Sequence, residues 1–298
     1  MKSLLDKLFL RSNNLNIVSN NLKQISLDTP VSKIFFAINS YSSLSEVRYV
    51  GGCVRKAIKG EKIDDIDLAT NLEPQEVCEA LKKKQINYYE TGIKHGTITA
   101  LIDDHKFEIT SLREDVSTDG RHAQVKFTKD WKKDASRRDF TINAIYSDIE
   151  GNIFDPYNGK DDLEKGVINF IGNPEIRVQE DYLRILRYVR FFVSYSKQQH
   201  NHEIVKSLRK NFNGISKLSK ERLIDELKKI LDKKILRKLS KDKFCLEILK
   251  LTFPQLRYFD VFLKLNPYAE RAFKDIDFIF IVSLLIIDQT DNAEYFLY

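Results

Sequence analysis

Paired carboxylates follow a glycine pair in the N-terminal half of the sequence, in the stretch YVGGCVRKAIKGEKIDDIDLAT. The pattern predicts a strand over Val47–Val50, a helix that begins near Val54, and a second strand over Ile66–Ala69. Asp65 and Asp67 would share one face of that strand, because side chains alternate along a strand. Two ionised carboxylates at this spacing repel each other unless a cation lies between them, and Mg²⁺ prefers such oxygen ligands. The stretch predicts a magnesium site; the alternative is a glycine turn beside a solvated acidic strand end.

The glycine pair suits a phosphate group. Gly51 and Gly52 stand at a predicted helix start, where backbone N–H groups can approach a triphosphate closely. Arg55 follows about one helical turn later and can reach the same phosphates. With twelve residues between the glycine pair and the acidic pair, the arrangement resembles the nucleotidyltransferase superfamily that includes DNA polymerase β.

That resemblance implies a third catalytic acid on a neighbouring strand. Two alternating runs, Thr97–Ile102 and Phe107–Thr110, flank the turn at residues 103–104 and predict a hairpin. Glu108 lies in the middle of the second run and faces opposite to its apolar neighbours. Glu108 is therefore the candidate third acid, and an exposed glutamate without a role is the alternative.

A second polar group stands in the stretch DASRRDFTINAIYSD. Asp139 and Asn143 are four residues apart, so a helix here would place both side chains on one face. A carboxylate can accept hydrogen bonds from ribose hydroxyls, and the guanidinium of Arg138 can pair with a phosphate or a base. The stretch predicts nucleotide contacts, with a surface ion pair as the alternative.

A third polar group stands in the stretch IRVQEDYLRILRYVRF. Asp181 and Arg184 are three residues apart and would share a helix face, with Arg187 close by. A carboxylate only accepts hydrogen bonds and a guanidinium only donates them. Cytosine and adenine present an amino donor beside a ring-nitrogen acceptor, whereas uracil and guanine present the reverse. The pair predicts selection of CTP and ATP without a template, and a surface salt bridge is the alternative.

Together the motifs resemble the class II tRNA nucleotidyltransferase and bacterial poly(A) polymerase family. The resemblance covers roughly residues 30–235 and is carried, in order, by GGCVR, DIDLAT, RRDFTINAI, EDYLR and SKERLIDE. It implies a polymerase-β-like head followed by helical neck, body and tail domains. The stretch TDGRHAQVKFTKDWKKDASRRDFTINA is similar to the CCA-adding branch found in α-proteobacteria.

The resemblance also implies roles for the matched residues. Asp65 and Asp67 would hold two Mg²⁺ ions, with Glu108 as the third catalytic acid. The segment from Arg113 to Ser136 corresponds to the flexible loop that helps the family to change from CTP to ATP, so its presence favours full CCA addition or A addition. The candidate nucleotide-binding residues, from the motifs and the resemblance together, are Gly51, Gly52, Arg55, Arg138, Asp139, Asn143, Asp181, Arg184, Arg187 and Arg222.

Two features differ from the family pattern. Lys56 stands where the family usually has an aspartate after the VR pair, which removes that aspartate's hydrogen-bonding role but leaves the acidic pair intact. The sequence also ends earlier than typical members do, so we expect the tail that grips the tRNA elbow to be incomplete.

The charge of the chain is unevenly distributed. Its 298 residues carry 49 Lys and Arg against 43 Asp and Glu, a net charge of +6. Residues 201–250 hold 15 basic and 7 acidic residues, and the pattern KERLIDELKKILDKKILRKL within them predicts a helix. A basic helix face can follow a phosphate backbone; a solvated lysine-rich face is the alternative.

Composition excludes several classes of protein. With 42% hydrophobic and 31% charged residues, the chain is neither collagen-like nor mostly disordered. The longest apolar stretch, Phe278 to Ile287, is ten residues, whereas a membrane span needs roughly 18. Asp6 and Lys7 interrupt the N-terminal apolar run, so we predict no signal peptide and a cytoplasmic location. The cysteine and histidine spacings do not predict a zinc site, and we interpret His200 and His202 as surface residues.

We predict an α+β fold with a polymerase-β-like nucleotidyltransferase head, built from a mixed sheet and helices, followed by an all-helical neck and body. The head is expected over residues 1–150, with a final strand and turn that run to about 172. A helical neck with the nucleotide-selecting helix is expected over 173–235, and a helical body or partial tail over 236–298.

These inferences predict a template-independent RNA nucleotidyltransferase that adds CCA to tRNA 3′ ends from CTP and ATP with two Mg²⁺ ions. The alternatives are a poly(A) polymerase, an enzyme that adds only A, or a catalytically silent RNA-binding module. Residues 251–298 carry 4 basic and 7 acidic residues, which favours CCA addition because the poly(A) branch tends to end in extra basic sequence. The predicted partner is tRNA, at its acceptor stem and 3′ end, with no membrane and no protein partner implied.

Overall fold

The computed structural model describes residues 18–118, 123–264 and 276–286 of the chain. The chain divides into two compact units. Unit 1 comprises Met1–Lys165 and Asn169–Gly172, and unit 2 comprises Gly166–Ile168 and Asn173–Tyr298. The three-part division that the sequence predicts, with boundaries at 150 and 235, stays a prediction.

Unit 1 is built on a mixed sheet. Its strands are β1 Val47–Val50, β2 Asp67–Thr70, β3 Asn87–Gly92, β4 Thr97–Ile102, β5 His105–Ser111, β6 Arg113–Thr118, β7 Ala123–Phe127, β8 Tyr146–Ser147 and β9 Ile153–Phe154. Seven of them form one sheet in the order β3-β4-β5-β2-β1-β8-β9, and β6 pairs with β7 in a separate hairpin. The β2 and β5 strands run parallel, whereas the other neighbours in the large sheet are antiparallel. This order places β2, which carries Asp67, next to β5, which carries Glu108.

Helices of unit 1 share an apolar core with the large sheet. The alternate residues Ile98, Ala100 and Ile102 of β4 are buried, as expected for a strand with one covered face. They belong to the same buried cluster as Ile34 and Leu81 from two of the helices. The helices are α1 over 18–28, α2 Val31–Asn39, α3 Gly52–Lys59, α4 Pro74–Lys83, α5 Trp131–Ser136 and α6 Gly159–Lys165.

Residues at the N-terminal end of α4 explain where this helix begins. Pro74 occupies its first turn, where its missing N–H removes no hydrogen bond. Glu73 and Glu76 each accept a hydrogen bond from the other residue's backbone N–H, which forms a capping box. The predicted hairpin is confirmed by β4 and β5, with Asp103 in the left-handed region at a φ of 53° in its turn.

The segment from Arg113 to Ser136, where the resemblance implies a flexible loop, contains two strands and a helix. Its described residues form the β6–β7 hairpin and then α5, and residues 119–122 lie outside the described part of the chain. Asp130 begins α5 by accepting hydrogen bonds from the backbone N–H groups of Lys132 and Lys133 at 2.8 and 3.3 Å. Whether this segment moves between CTP and ATP addition stays a prediction.

Unit 2 contains helices and no strand in its described residues. Within the described ranges, no helix combines the length and apolar character that a membrane span requires. Short 3₁₀ turns lie at Phe212–Lys217 and Phe259–Leu263. The α-helices are α7 Pro174–Glu180, α8 Leu183–Tyr195, α9 His202–Lys210, α10 Lys220–Ile230, α11 Lys233–Leu239, α12 Lys243–Thr252 and α13 Phe278–Ile286.

Capping side chains explain where four of these helices begin. Asn173, Asn201, Ser219 and Asp242 accept hydrogen bonds from backbone N–H groups in the first turns of α7, α9, α10 and α12, respectively. The most extensively buried helix is α8, whose buried side chains are Ile185, Leu186, Tyr188, Val189, Phe191, Phe192 and Val193. Unit 2 is therefore assembled around α8.

His200 is packed inside unit 2, so its interpretation as a surface residue is wrong. Its side chain is 17% exposed, and its ring stacks on Phe192 with the ring centroids 3.6 Å apart. Its ring nitrogens lie 3.1 Å from the Tyr188 hydroxyl and 3.0 Å from an Asp242 oxygen. These partners come from α8 and from the start of α12, so the polar neighbours of His200 in the sequence gave no indication of them. His202 is exposed, as predicted.

An ion pair between α8 and α10 supplies a test of the packing of unit 2. Arg190 Nε donates to Glu226 Oε1 at 2.5 Å, and the Glu226 side chain is 2% exposed. We expect Glu226→Ala to lower the free energy of unfolding by about 3–5 kcal/mol, because it leaves a guanidinium charge buried without this carboxylate. Urea unfolding measures the change. Glu203→Ala, at an exposed position of α9, should change it by less than about 0.5 kcal/mol; equal losses in both variants would contradict the expectation.

Candidate active site

A glycine turn joins β1 to α3 and forms one wall of the site. Gly51 has a φ of 65°, a left-handed conformation that favours glycine. A Cβ added there would lie 3.5 Å from the Asn143 carbonyl oxygen and 3.6 Å from Arg138 Nη1. A Cβ added at Gly52 would lie 4.0 Å from Asp67 Oδ2. The turn therefore brings the start of α3 against residues of two other candidate motifs.

The acidic residues come from two parallel strands and from the segment before one of them. Asp67 is the first residue of β2, and it lies directly opposite Glu108 in the register of β2 and β5. Asp65 precedes β2 and is not part of that strand, and its place on one face with Asp67 stays a prediction. The strand begins later than predicted, and the side chains of Asp65 and Glu108 are both exposed. Glu108 lies where the resemblance implies a third acid, and its role stays a prediction.

The neighbouring acids affect the pKa of Asp67. Desolvation by the surrounding protein raises the pKa of the Asp67 carboxyl, although the side chain keeps contact with solvent. The negative charges of Glu108 and Asp65 raise that pKa further, whereas the positive charges of Arg138 and Arg55 lower it. An oxygen-rich site in which carboxylates repel each other suits a hard divalent cation such as Mg²⁺. The residues present therefore fit the predicted metal ions.

Asp139, Asn143 and Arg55 form a buried chain of polar contacts. Asp139 Oδ1 accepts hydrogen bonds from Asn143 Nδ2 and from the backbone N–H of Phe140, both at 2.8 Å. Asn143 Oδ1 accepts a hydrogen bond from Arg55, and Asp139, Asn143 and Arg55 are each 7% exposed. The predicted meeting of Asp139 and Asn143 is confirmed, but the predicted helix is wrong. Thr141–Asn143 forms a 3₁₀ turn, and the Asp139 side chain takes up a backbone N–H that a helix would use elsewhere.

Asp134 is a central residue of the site that the sequence interpretation missed. Its side chain is 1% exposed, and it accepts hydrogen bonds from Arg137 Nε at 2.9 Å, Tyr146 OH at 2.7 Å and Arg138 Nη2 at 3.2 Å. It also accepts one from the backbone N–H of Arg113, at the base of the β6–β7 hairpin, at 3.2 Å. The available signal was its spacing, three and four residues before the two arginines.

The charge state of Asp134 is set by its arginine partners. Burial by itself would raise the pKa of the Asp134 carboxyl, but the positive charges of Arg138 and Arg137 outweigh burial and lower that pKa to about 2. The Tyr146 hydroxyl, which donates to the same carboxylate, acts in the same direction. Asp134 is therefore ionised at neutral pH and holds Arg138 beside the glycine turn.

We expect Asp134→Asn to destabilise the fold by about 3 kcal/mol at pH 7, because an amide removes the buried negative charge that Arg137 and Arg138 share. The contribution depends on pH. The folded pKa of Asp134 lies below its ordinary value, so its ionisation stabilises the folded chain above about pH 4, and this stabilisation is lost as the pH falls toward about 2. Urea unfolding at pH 7 and pH 3 should show a smaller difference between the variant and the natural chain at the lower pH. Asp161→Asn, at an exposed position of α6, is the control; a difference that does not shrink would contradict the prediction.

The predicted base-selecting residues lie in unit 2. Asp181 has an extended backbone between α7 and α8, so the prediction that it shares a helix face with Arg184 is wrong. Its Oδ1 accepts from the backbone N–H of Leu183 at 3.1 Å, and its Oδ2 accepts from Arg222 Nη2 at 2.8 Å. Asp181 follows the last residue of α7, and its carboxylate accepts from the first backbone N–H of α8. Asp181 and Arg222 are thus brought together.

Arg184 and Arg187 have partners other than Asp181. Arg184 Nη1 donates to Glu180 Oε2 and to the Arg177 carbonyl oxygen, both at 2.7 Å. The guanidinium of Arg187 lies over the Phe191 ring, 5.4 Å from its centroid. The base-selecting group is therefore held by neighbouring residues of unit 2, and its contact with a nucleotide stays a prediction.

Comparison with known proteins finds similarity over part of the chain. Residues 47–169 match the family described as the poly A polymerase head domain. The chain is 44% identical over 189 residues to the mitochondrial CCA tRNA nucleotidyltransferase 1 of Danio rerio, covering 62% of this chain and 44% of that protein. It is 39% identical over 187 residues to the CCA-adding enzyme of Lactobacillus johnsonii, covering 62% of this chain and 46% of that protein. The chain thus spans less than half of the length of these relatives.

A solved structure supports the same relationship. The CCA-adding enzyme of Bacillus stearothermophilus, solved in complex with CTP, is 27% identical with a TM-score of 0.61. The alignment covers 72% of this chain and 53% of that one. The predicted fold class, a mixed-sheet head followed by helices, is confirmed. The chain is therefore similar to CCA-adding enzymes, and its residues 47–169 match the poly A polymerase head domain.

Proposed function

We propose that this chain is a template-independent nucleotidyltransferase that adds CCA to the 3′ end of tRNA from CTP and ATP. The observation that carries the proposal is the meeting of Asp67 and Glu108 beside the glycine turn of α3. The relatives support it, because two proteins, named as a CCA tRNA nucleotidyltransferase and a CCA-adding enzyme, each align with 62% of this chain. Because the chain spans only part of those proteins, activity, substrates and partner are all proposals.

Asp65 and Asp67 would hold the Mg²⁺ ions, with Glu108 beside them. Bound magnesium would lower the pKa of the attacking 3′-hydroxyl and stabilise the charge on the triphosphate. The chain's own contribution is the placement of the carboxylates: the parallel pairing of β2 and β5 fixes Asp67 and Glu108 on adjacent strands. Such positioning, together with stabilisation of charge, accounts for much of the catalysis in phosphoryl transfer.

The glycine turn and its neighbours would bind the triphosphate and the sugar. The first N–H groups of α3 are free of helical partners and suit an anion. Arg138, fixed by Asp134, adds positive charge next to Gly51. The contact of Arg55 with Asn143, and of Asn143 with Asp139, would keep the Asp139 carboxylate in place for a ribose hydroxyl. These residues orient the nucleotide and neutralise its charge.

Base choice would depend on Asp181 and Arg184, which accept and donate hydrogen bonds, respectively, and so match the edges of cytosine and adenine. Arg222 would act as a positioning residue, because it holds one oxygen of Asp181. The lysine-rich helices of residues 201–250 would bind tRNA phosphates by charge and shape. The cytoplasmic location stays a prediction, and the name of one relative places that protein in mitochondria.

A transfer assay tests the proposal. The chain and Mg²⁺ are given tRNA that lacks its last three nucleotides, with CTP alone, ATP alone, or both. We expect two C residues from CTP alone and a terminal A when both are present. Unlimited A addition would instead indicate a poly(A) polymerase, and a single A without C would indicate an A-adding enzyme. No incorporation, with tRNA still bound, would indicate a silent RNA-binding module.

A further inference from the structure

Three side chains of unit 2 bring metal-binding atoms together. Among the residues that the structure describes, His200, Asp242 and Cys245 form the one group of three His, Cys, Asp or Glu whose ligand atoms all lie within 4.8 Å of one another. His200 and Asp242 are 42 residues apart in the sequence. The sequence therefore offers no zinc-like spacing, and the fold alone assembles the group.

The ligand atoms of the group are near enough for one metal ion: all lie within 4.8 Å of one another, and those of His200 and Asp242 are slightly closer than in a tetrahedral site. His200 Nε2 lies 3.0 and 3.1 Å from the two carboxylate oxygens of Asp242. With metal–ligand bonds of about 2.0–2.3 Å, the ligand atoms of a tetrahedral site are roughly 3.3–3.8 Å apart. A small outward shift of the imidazole would therefore admit an ion. Asp242 and Cys245 are fixed relative to each other, because Asp242 Oδ1 accepts from the Cys245 backbone N–H at 2.8 Å.

The ring of His200 is already oriented for such a role. It stacks on Phe192 at an interplanar angle of 15° and meets the edge of Phe244 with the centroids 4.9 Å apart. Its Nδ1 lies 3.1 Å from the hydroxyl of Tyr188, which is 1% exposed. A partner on one ring nitrogen fixes the tautomer and presents the other nitrogen to a metal. Here the nitrogen that would bind the metal is Nε2, which contacts Asp242 in the absence of an ion.

The donor set selects the kind of ion. An imidazole nitrogen, a thiolate sulfur and a carboxylate oxygen suit Zn²⁺ and similar transition metals, whereas Mg²⁺ and Ca²⁺ prefer oxygen ligands alone. The two anionic ligands would balance the charge of a dication. Cys245 is completely buried, while the side chains of His200 and Asp242 are 17% and 23% exposed, so the group is open to solvent on one side.

We propose that His200, Asp242 and Cys245 bind one zinc-type divalent ion, with water as the fourth ligand. Binding would break the His200–Asp242 hydrogen bond and move the proton of Nε2 to Nδ1, which would then donate to the Tyr188 hydroxyl. The Cys245 thiol would release its proton to solvent, and each of the three side chains would form one bond to the metal. The ion would connect the segment between α8 and α9 to the start of α12. This site shares no residue with the proposed magnesium site, and the proposal does not depend on the proposed function.

Cobalt(II) provides a direct probe, because a thiolate ligand gives it a charge-transfer absorption that oxygen ligands do not. The metal-free full chain is titrated with Co²⁺ and then with Zn²⁺. We expect the thiolate absorption to appear, to saturate at a single site, and to disappear as Zn²⁺ displaces the cobalt. Cys245→Ser and His200→Gln should abolish it. Tyr188→Phe should weaken cobalt binding by about 10-fold, because it removes only the partner of Nδ1.

Matched controls separate the site from other metal-binding groups. Cys78→Ser removes a buried cysteine of unit 1 and should leave the absorption unchanged. Circular dichroism of each metal-free variant checks that it is folded, and Tyr188→Phe gives a graded result if Cys245→Ser does not fold. The absence of a thiolate absorption in the natural chain would overturn the proposal, and so would an absorption that persists in Cys245→Ser.

Discussion

Asp67→Asn is expected to lower the rate of CTP and ATP incorporation by about 10³-fold or more while leaving the fold intact. The substitution keeps the shape of the side chain and removes one of the charges that would hold Mg²⁺. It also removes the repulsion from Glu108 and Asp65 that raises the pKa of the Asp67 carboxyl. The melting temperature should therefore stay the same or rise. Single-turnover extension of tRNA, with calorimetry on the same sample, measures both effects.

Binding of tRNA separates a loss of chemistry from a loss of structure in this variant. Asp67→Asn should bind tRNA as the natural chain does, because the basic segment lies elsewhere in the sequence, over residues 201–250. Asp104→Asn removes an exposed carboxylate from the β4–β5 turn of the same unit and should keep full activity. Normal turnover by Asp67→Asn would overturn the assignment of the metal site, and normal turnover by Asp65→Ala would remove Asp65 from it.

The parts of the site that the sequence predicts well are those set by local chain geometry. Gly51 needs a left-handed backbone, and the alternation around Glu108 is visible in a run of seven residues that forms β5. The strand, the glycine turn and the helix of the first motif follow one another without a gap. Local propensity and hydrophobic pattern agree there, so the sequence predicts these three elements correctly. The parallel register that sets Asp67 opposite Glu108 is not local, and the sequence indicates it only through the family resemblance.

The failures are at residues whose surroundings include partners that the local sequence pattern does not reveal. Asp181 was expected inside a helix, but its two hydrogen bonds, to the start of α8 and to Arg222, favour an extended backbone. For Asp134, the spacing to Arg137 and Arg138 was a local signal, but its hydrogen bonds from Tyr146 and from the backbone of Arg113 depend on the fold. The prediction that His200 lies on the surface fails for the same reason, because its partners Tyr188 and Asp242 are distant in the sequence. Buried polar residues require satisfied partners, and such partners are a property of tertiary structure.

Lys56 shows how a departure from the family pattern is accommodated. Its Nζ donates to Asp64 Oδ2 at 3.1 Å, and Lys62 lies 3.9 Å from the other oxygen of Asp64. Asp64 immediately precedes Asp65, so this pair connects α3 to the segment that carries a proposed metal ligand. A lysine here therefore finds an acidic partner within the first motif, which agrees with retention of the acidic pair.

The second large effect is expected in base selection, from Asp181→Asn. A carboxylate only accepts hydrogen bonds, whereas the asparagine amide also donates them, so the variant should admit uracil and guanine edges that the natural chain rejects. We expect the preference for CTP over UTP, and for ATP over GTP, to fall by roughly 10- to 100-fold, which corresponds to about 1–3 kcal/mol per base contact. Incorporation of each nucleotide triphosphate alone, as kcat/KM, measures the change.

Arg222→Gln separates contact with the base from positioning. It weakens the charge-assisted hydrogen bond to Asp181 Oδ2 but leaves the accepting carboxylate in place. If Asp181 reads the base and Arg222 only holds it, Arg222→Gln should lower kcat/KM for CTP and ATP while largely keeping the order of preference among the four nucleotides. Asp225→Asn, at an exposed position of α10, should change neither quantity. Unchanged preference in Asp181→Asn would contradict base reading by this residue and would leave it only its contacts with Arg222 and the backbone of Leu183.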